Sequence, residues 1–175
     1  MGFITTFRPS EQKKAVFFQS LITMKVLVAT EKPFAKAAVD GIREIVQGAG
    51  YQMALLEKYT DTNQLLTAVQ DADALIVRSD KVTAEVVAAA PQLKIVVRAG
   101  AGYDNVDLGA CTSRGIVVMN TPGQNSNAVA ELAIGMMIFM ARNQFTPGTG
   151  TEIRGKRLGI QAYGHVGRLV GRYGK

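Results

Sequence analysis

A segment with two glycines follows a predicted buried strand and has the residue types of an anion-binding loop. It reads RAGAGYDN over residues 98–105. Glycines let the backbone approach a ligand without a Cβ in the way, and successive N–H groups at the carboxyl end of a strand can hold an anion. The segment therefore favours binding of a carboxylate or a phosphate. The alternative is a tight turn in which Asp104 and Asn105 cap the next element, and the pattern alone leaves both interpretations open.

A second candidate site, Arg78 with Ser79, stands at the end of another predicted strand. Doubly wound sheets bind their ligands beyond the carboxyl ends of the strands, and a guanidinium suits a phosphate or a carboxylate. The alternative for Arg78 is a surface salt bridge with Asp80 or Glu85. Arg78 and Arg98 together suit a small acid with two anionic groups.

A third candidate is a glycine loop over residues 158–168, which reads LGIQAYGHVGR. Gly164 and Gly167 occupy the second and third glycine positions of the dinucleotide-binding pattern, where they admit a pyrophosphate and allow close packing of strand and helix. Ala162 takes the place of the first glycine. Alanine costs on the order of 1 kcal/mol if the turn is left-handed there and nothing if φ stays negative.

The remaining reactive side chains favour structural roles. His165 is the only histidine and lies within the glycine loop, where a solvent-facing turn residue is favoured over a proton-transfer group. Cys111 has no histidine near it in sequence, so buried packing is favoured over nucleophilic catalysis. The methionines of the predicted helix 128–142 indicate a core or an interface, and we predict no metal site.

Short β-branched runs alternate with helical patterns from Lys25 onward, which predicts an α/β fold. Specifically, we predict a flavodoxin-like doubly wound parallel sheet followed by the first βα unit of a Rossmann domain. The predicted strands cover residues 26–29, 53–56, 74–77, 94–98 and 116–119, with a further strand at 156–162. The predicted helices that matter most are 84–90, stopped by Pro91, and 128–142, whose apolar surface predicts burial on most sides.

These patterns divide the chain into four predicted parts. Residues 1–23 are an N-terminal extension or a mis-start, and residues 24–124 form a first lobe. Residues 125–151 form a bridging helix and linker, and residues 152–175 are the truncated start of a Rossmann domain.

The net charge of +6 does not indicate a nucleic-acid-binding surface, because residues 142–175 carry seven basic and one acidic side chain while the rest of the chain is balanced. With one cysteine and no apolar run long enough to cross a membrane, we expect a reducing, cytoplasmic compartment and neither nucleic-acid nor membrane partners.

Four ordered motifs give the chain a specific resemblance. They are LIVRSDKVT at 75–83, RAGAGYDNVD at 98–107, RGIVVMNTP at 114–122 and AELAIG at 130–135. In order and spacing they resemble the D-isomer-specific 2-hydroxyacid dehydrogenases. The resemblance implies that residues 24–124 are a substrate-binding lobe for a small anionic 2-hydroxy or 2-oxo acid, that residues 152–175 begin an NAD-binding domain, and that the protein forms a homodimer or higher assembly. The acid could be 3-phosphoglycerate, a simpler hydroxy acid or a 4-phosphorylated relative.

The resemblance also implies roles for individual residues. Substrate contacts would come from Arg78, Ser79, Arg98 and Asn125 and from the backbone N–H groups of Ala99, Gly100, Ala101 and Gly102. Cofactor contacts would come from Ala101 at the nicotinamide end and from Tyr163, Gly164, His165, Val166 and Gly167 at the pyrophosphate.

The chemistry implied by the resemblance is hydride transfer between C2 of the acid and the nicotinamide, assisted by a histidine, a carboxylate and an arginine. In the family these catalytic residues lie beyond the position of Lys175, so we expect the chain alone to be inactive. The choice between NAD and NADP is open. The alternatives are an anion-binding module or pseudoenzyme and, disfavoured by Lys32 and Pro33 after the first strand, a phospho-acceptor domain.

Overall fold

The computed structural model describes residues 23–175, so the predicted extension over residues 1–23 lies outside the described residues except for Thr23. The strands in this range are β1 (Lys25–Thr30), β2 (Gln52–Glu57), β3 (Ala74–Val77), β4 (Ile95–Arg98) and β5 (Val117–Met119). The helices are α1 (Lys36–Gly48), α2 (Thr62–Ala68), α3 (Ala84–Ala89), α4 (Leu108–Ser113), α5 (Ser126–Ala141) and α6 (His165–Tyr173), with a short 3-10 turn at Asn143–Phe145.

The five strands form one parallel sheet in the order β2-β1-β3-β4-β5. This is the flavodoxin-like order of a doubly wound fold, so the predicted fold class is confirmed. The register aligns Val77 of β3 with Arg98 of β4. The predicted anion-binding residues that follow β3 and those that end β4 therefore lie at the same edge of the sheet.

Side-chain acceptors begin three of the short helices. Asp61 accepts a hydrogen bond from the N–H of Asn63 at the start of α2, and Thr83 does the same for Val86 at the start of α3. The pKa of Asp61 is lowered chiefly by this backbone hydrogen bond. Such caps satisfy N–H groups that have no partner inside a helix, and they position the loops between strands and helices.

The main hydrophobic core lies on one face of the sheet. It contains alternate residues of the central strands, among them Leu27 and Ala29 of β1 and Leu75 and Val77 of β3. Neighbouring strand residues point to opposite faces, so Val28 belongs to the other face. The core also takes in side chains from α2, α3 and α4, which places these helices over the same face.

The described residues divide into two compact units. The first unit contains residues 23–99 and 104–119, and the second contains residues 100–103 and 120–175. Residues 100–103 group with the second unit, where Thr121 donates its N–H to the carbonyl of Gly100 at 2.9 Å and Asn120 donates its Nδ2 to the carbonyl of Ala101 at 2.7 Å. The predicted domain boundaries remain predictions.

Helix α5, in the second unit, does not have the burial that its composition predicts. Leu132 and Met140 are each 63% exposed and Met136 is 58% exposed. No described residue pairs with the predicted strand 156–162, and the segment is not a strand because ladder hydrogen bonds define one. Helix α6 forms after it. None of the helices in residues 23–175 combines the length and the hydropathy needed to span a membrane.

Asp73 joins the amino ends of three neighbouring strands. Its carboxylate accepts a hydrogen bond from the backbone N–H of Lys25 at 2.9 Å and another from the ammonium of Lys94 at 2.9 Å. Burial alone would raise the pKa of Asp73, but these hydrogen bonds and the charge of Lys94 outweigh it and hold the pKa below its ordinary value of 3.8.

The variant Asp73→Asn is expected to lower the free energy of unfolding by about 1–3 kcal/mol, because it leaves a donor without its charged acceptor. Since the folded pKa is depressed, this contribution is present above pH 3.8 and is lost as the pH falls through the folded pKa. Urea unfolding followed by circular dichroism at several pH values measures it. The control is Asp71→Asn, whose side chain is 66% exposed in its pair with Lys25 and should cost less than about 1 kcal/mol. Equal losses in the two variants would contradict the prediction.

Candidate functional site

The first candidate site lies at the carboxyl edge of the sheet, in the first unit. Arg78 follows β3 directly, and Arg98 ends β4 in register with Val77. Adjacent strands are about 4.8 Å apart, so the two arginines leave neighbouring backbone positions of the same edge. The fold therefore places two arginines that are twenty positions apart in the sequence, and that we predicted to bind an anion, at the same edge of the sheet.

A buried carboxylate organises this edge. Asp80 is only 4% exposed, and its Oδ1 accepts hydrogen bonds from the N–H of Glu31 at 2.7 Å and from the hydroxyl of Tyr59 at 2.7 Å. Its Oδ2 accepts the N–H of Arg78 at 3.3 Å. These donors follow β1, β2 and β3 respectively, so one side chain ties together the carboxyl ends of three strands.

Tyr59 is a permanent donor in this network. Burial, followed by the hydrogen bond to Asp80 and the negative charges of Asp80 and Glu31, raises the pKa of the Tyr59 hydroxyl far above its ordinary value. The hydroxyl therefore keeps its proton, and its hydrogen bond to Asp80 persists across the physiological range.

Asn105 extends the network to the segment that follows β4. Its Nδ2 donates to the carbonyl of Asp80 at 2.7 Å, and its own carbonyl accepts the N–H of Val82 at 2.8 Å. Val82 and Val106 form an isolated parallel bridge. The cap of α4 is Asp107, which accepts from the N–H of Ala110 at 2.9 Å, so the alternative in which Asp104 and Asn105 cap the next helix is wrong.

The arginines differ in their surroundings. Arg78 is exposed and takes part in none of the salt bridges among residues 23–175, so the alternative of a surface pair with Asp80 or Glu85 is wrong. The Nε of Arg98 is buried, and in the described part of the chain it has no hydrogen-bond partner. A buried donor without an acceptor is costly, and an anion would satisfy it.

The other predicted substrate residues have mixed placements. The N–H of Ala99 already donates to the carbonyl of Val77 at 2.8 Å, so that donor is used. Ser79 is exposed beside Arg78. Gly100, Ala101 and Gly102 belong to the second unit, as does Asn125, which is exposed at the start of α5 and makes no side-chain capping bond.

The glycine loop of the second unit leads directly into helix α6. Ala162 adopts φ +69°, so the left-handed alternative is the one realised, and alanine carries its cost. A Cβ on Gly167 would collide with the backbone carbonyl of Ala162, which explains glycine at that position. A Cβ on Gly164 would meet nothing within 4 Å, so the space in front of this glycine is open.

The remaining residues of the loop lie around this open space. Tyr163 and His165 are exposed and Val166 is half-buried. The His165 ring lies against Gly123, with its Nδ1 3.3 Å from the position of a Cβ there. The exposure of His165 agrees with its prediction as a solvent-facing turn residue.

Sequence reasoning missed the central role of Asp80 and did not single out Tyr59. It considered Asp80 only as a surface partner of Arg78. The available signal was a carboxylate three positions after a buried strand, where short polar side chains often bond to nearby backbone. Tyr59 comes from a different strand, so no local pattern pairs it with Asp80.

Comparisons with known proteins agree with this geometry. Residues 26–168 match the family described as D-isomer specific 2-hydroxyacid dehydrogenase, catalytic domain. The chain is 44% identical to the D-3-phosphoglycerate dehydrogenase of Homo sapiens, over 73% of this chain and 26% of that protein.

Solved structures give the same result. An NAD+-bound 3-phosphoglycerate dehydrogenase of Entamoeba histolytica matches with a TM-score of 0.83 and 52% identity, covering 87% of this chain and 51% of that one. An NAD-dependent formate dehydrogenase of Staphylococcus aureus in complex with NAD matches with a TM-score of 0.72 and 26% identity, covering 86% and 53%. The chain therefore spans about a quarter of the curated relative and about half of these solved chains.

The variant Ala162→Gly is expected to stabilise the chain by about 0.5–1 kcal/mol, because relief of the left-handed alanine is partly offset by the greater freedom of glycine in the unfolded chain. Thermal and urea unfolding measure the change. A loss of stability would contradict the strain assigned to Ala162.

Gly167→Ala is expected to destabilise α6 and its turn, because the new methyl group would meet the Ala162 carbonyl. Its matched control is Gly41→Ala, also within a helix but with nothing within 4 Å of the new atom, which should stabilise by up to about 1 kcal/mol. Urea unfolding compares the two, and a stabilising effect at both positions would refute the close packing at Gly167.

Proposed function

We propose that this chain, which belongs to the D-isomer specific 2-hydroxyacid dehydrogenase family, provides the substrate-binding part and the start of the cofactor-binding part of an NAD-dependent dehydrogenase. The proposed substrate is 3-phosphoglycerate. The proposed boundaries are those predicted from the sequence, with residues 24–124 as the substrate lobe, 125–151 as bridging helix and linker, and 152–175 as the start of the NAD-binding domain.

The observation that carries the substrate assignment is the buried Nε of Arg98, which has no hydrogen-bond partner among residues 23–175. With Arg78 at the adjacent backbone position of the same edge, the site offers two guanidinium groups to a ligand with two anionic ends. The name shared by the human and Entamoeba relatives supports the choice of 3-phosphoglycerate among such acids. The roles of Ser79, Gly100, Ala101, Gly102 and Asn125 as substrate contacts remain predictions.

The glycine loop supports NAD as the cofactor. The open space at Gly164 suits a pyrophosphate, and the N-terminus of α6 supplies unpaired N–H groups and positive potential to an anion placed there. In this proposal Gly164, His165, Val166 and Gly167 hold the pyrophosphate through the backbone, with Tyr163 beside it. Ala101 is assigned to the nicotinamide end by resemblance alone.

In the proposed reaction, residues of this chain bind and orient the acid, and the cofactor would supply the redox chemistry. NAD, when bound at the glycine loop, would supply the hydride acceptor for oxidation at C2 of the hydroxy acid. Arg78 and Arg98 hold the anionic groups of the acid and so fix the orientation of C2. His165, the one histidine of the sequence, lies at the glycine loop, so we assign it to cofactor binding and not to proton transfer. We expect the 175-residue chain alone to bind the acid without oxidising it.

The variant Arg98→Met is expected to weaken binding of 3-phosphoglycerate by about tenfold or more, since a charge-assisted hydrogen bond contributes about 1.5–3 kcal/mol. Arg78→Met should weaken it to a similar extent. Isothermal titration calorimetry on the chain measures both affinities. Arg43→Met, which removes a positive charge from α1, is the control and should leave the affinity nearly unchanged. An affinity insensitive to both site variants would contradict the assignment of the substrate site.

Titration with glycerate, which lacks the phosphate, tests whether two anionic ends are recognised. We expect it to bind more weakly than 3-phosphoglycerate. The same titrations on the protein expressed from its own gene test the alternative function. Tight binding of 3-phosphoglycerate together with no affinity for NAD would favour an anion-binding module.

Gly164→Ala is expected to leave the melting temperature unchanged and to lower NAD affinity at least about tenfold, because the methyl group occupies the space proposed for the pyrophosphate. The NAD affinity is measured by titrating NAD into the protein expressed from its own gene. The control variant is Gly41→Ala. Unchanged affinity in the Gly164 variant would count against the proposed cofactor site.

A further inference from the structure

We propose that Asp80 is a positioning residue for the substrate, because its carboxylate and carbonyl fix the two segments that carry Arg78 and Arg98. The inference rests on the proposed function, since those arginines are the proposed substrate contacts. Asp80 itself does not touch the substrate in this proposal. It acts through the backbone that it holds.

The segment after β3 is held by the Asp80 carboxylate. Its Oδ2 accepts the N–H of Arg78, while its Oδ1 is shared by the N–H of Glu31 and the hydroxyl of Tyr59. A buried carboxylate is very costly without donors, so every one of these donors resists displacement. The three hydrogen bonds to the Asp80 carboxylate therefore restrict the backbone of the segment that contains Arg78 and Ser79.

The segment after β4 is held by the other end of the same residue. The Asp80 carbonyl accepts the Nδ2 of Asn105 at 2.7 Å, and the bridge between Val82 and Val106 adds a second attachment. Asn105 lies seven positions after Arg98, so the loop begins at the sheet and is anchored again near its end. Asp80 thereby connects both arginine-bearing segments.

Electrostatics by itself predicts a different role for Asp80. A negative charge next to a site for an anionic acid should oppose binding, so its removal should tighten binding. Positioning predicts weaker binding after the same change, because a ligand must then order groups that were already ordered in the wild type. A purely structural role predicts a loss of stability with unchanged binding. The sign of the change in affinity therefore separates the three possibilities.

The test is the variant Asp80→Asn, which keeps the shape of the side chain and removes its charge. Its matched control is Asp73→Asn, which alters the half-buried aspartate that joins the amino ends of strands of the same sheet. Calorimetric titration of the full chain with 3-phosphoglycerate gives the affinity, and urea unfolding gives the stability. We expect both variants to lose stability, Asp80→Asn to bind about tenfold more weakly, and Asp73→Asn to bind within about twofold of the wild type.

Hydrogen exchange provides a second readout. In Asp80→Asn, the amides of Glu31 and Arg78 should exchange faster, while in Asp73→Asn only the amide of Lys25 should do so. If Asp80→Asn does not fold, Tyr59→Phe replaces it, since this variant removes one donor and leaves the carboxylate in place. Tyr59→Phe should weaken binding about threefold or more.

Unchanged or tighter binding of 3-phosphoglycerate by Asp80→Asn, or by Tyr59→Phe in its place, would overturn the inference and leave the proposed function standing. Equal weakening by Asp73→Asn would also overturn it, because a general loss of stability would then explain the effect. Failure of the wild-type chain to bind 3-phosphoglycerate would refute the proposed substrate itself, and with it this inference.

Discussion

The requirement that a buried carboxylate be fully hydrogen-bonded governs the edge of the sheet that carries the proposed substrate site. Asp80 is satisfied by donors from segments after β1, β2 and β3, which no single stretch of chain could supply. Burial of this carboxylate therefore requires that β1, β2 and β3 end side by side at this edge of the sheet. Once they do, Arg78 and Arg98 are presented from a rigid edge instead of from free loops.

Asp73 has a related role at the other end of the same strands. It joins the starts of β1, β3 and β4, as Asp80 joins the ends of β1, β2 and β3. The partners differ, because Asp73 uses an exposed ammonium that water also solvates, whereas Asp80 uses a buried tyrosine hydroxyl and backbone N–H groups. One edge is thus a structural junction open to solvent, and the other is a closed network beside the proposed site for an anionic ligand.

In the second unit, contacts between neighbouring residues explain the glycine loop, but they do not bury helix α5. The turn of its glycine loop involves only neighbouring residues. Ala162 is left-handed there, and its carbonyl packs so closely against Gly167 that this position has no room for a Cβ. Helix α5 in the same unit carries Leu132, Met136 and Met140 with more than half of each side chain exposed. The apolar sequence of α5 predicts a buried helix, but burial requires other elements to pack against it. Residues 23–175 do not cover these side chains.

The sequence by itself determined the five strands of the sheet, the helices predicted at 84–90 and 128–142 and the parallel α/β class, because backbone periodicity, caps and Pro91 act over a few residues. The strand predicted at 156–162 did not form. It also indicated Arg78, Arg98 and the glycine loop, since charge and glycine spacing are local properties. It left open the sign of φ at Ala162 and whether Arg78 forms a surface salt bridge. Only the tertiary structure decided these points and brought Tyr59, Asp80 and Asn105 together, because their hydrogen bonds join segments after different strands, and the order of those strands is set by packing of the whole sheet.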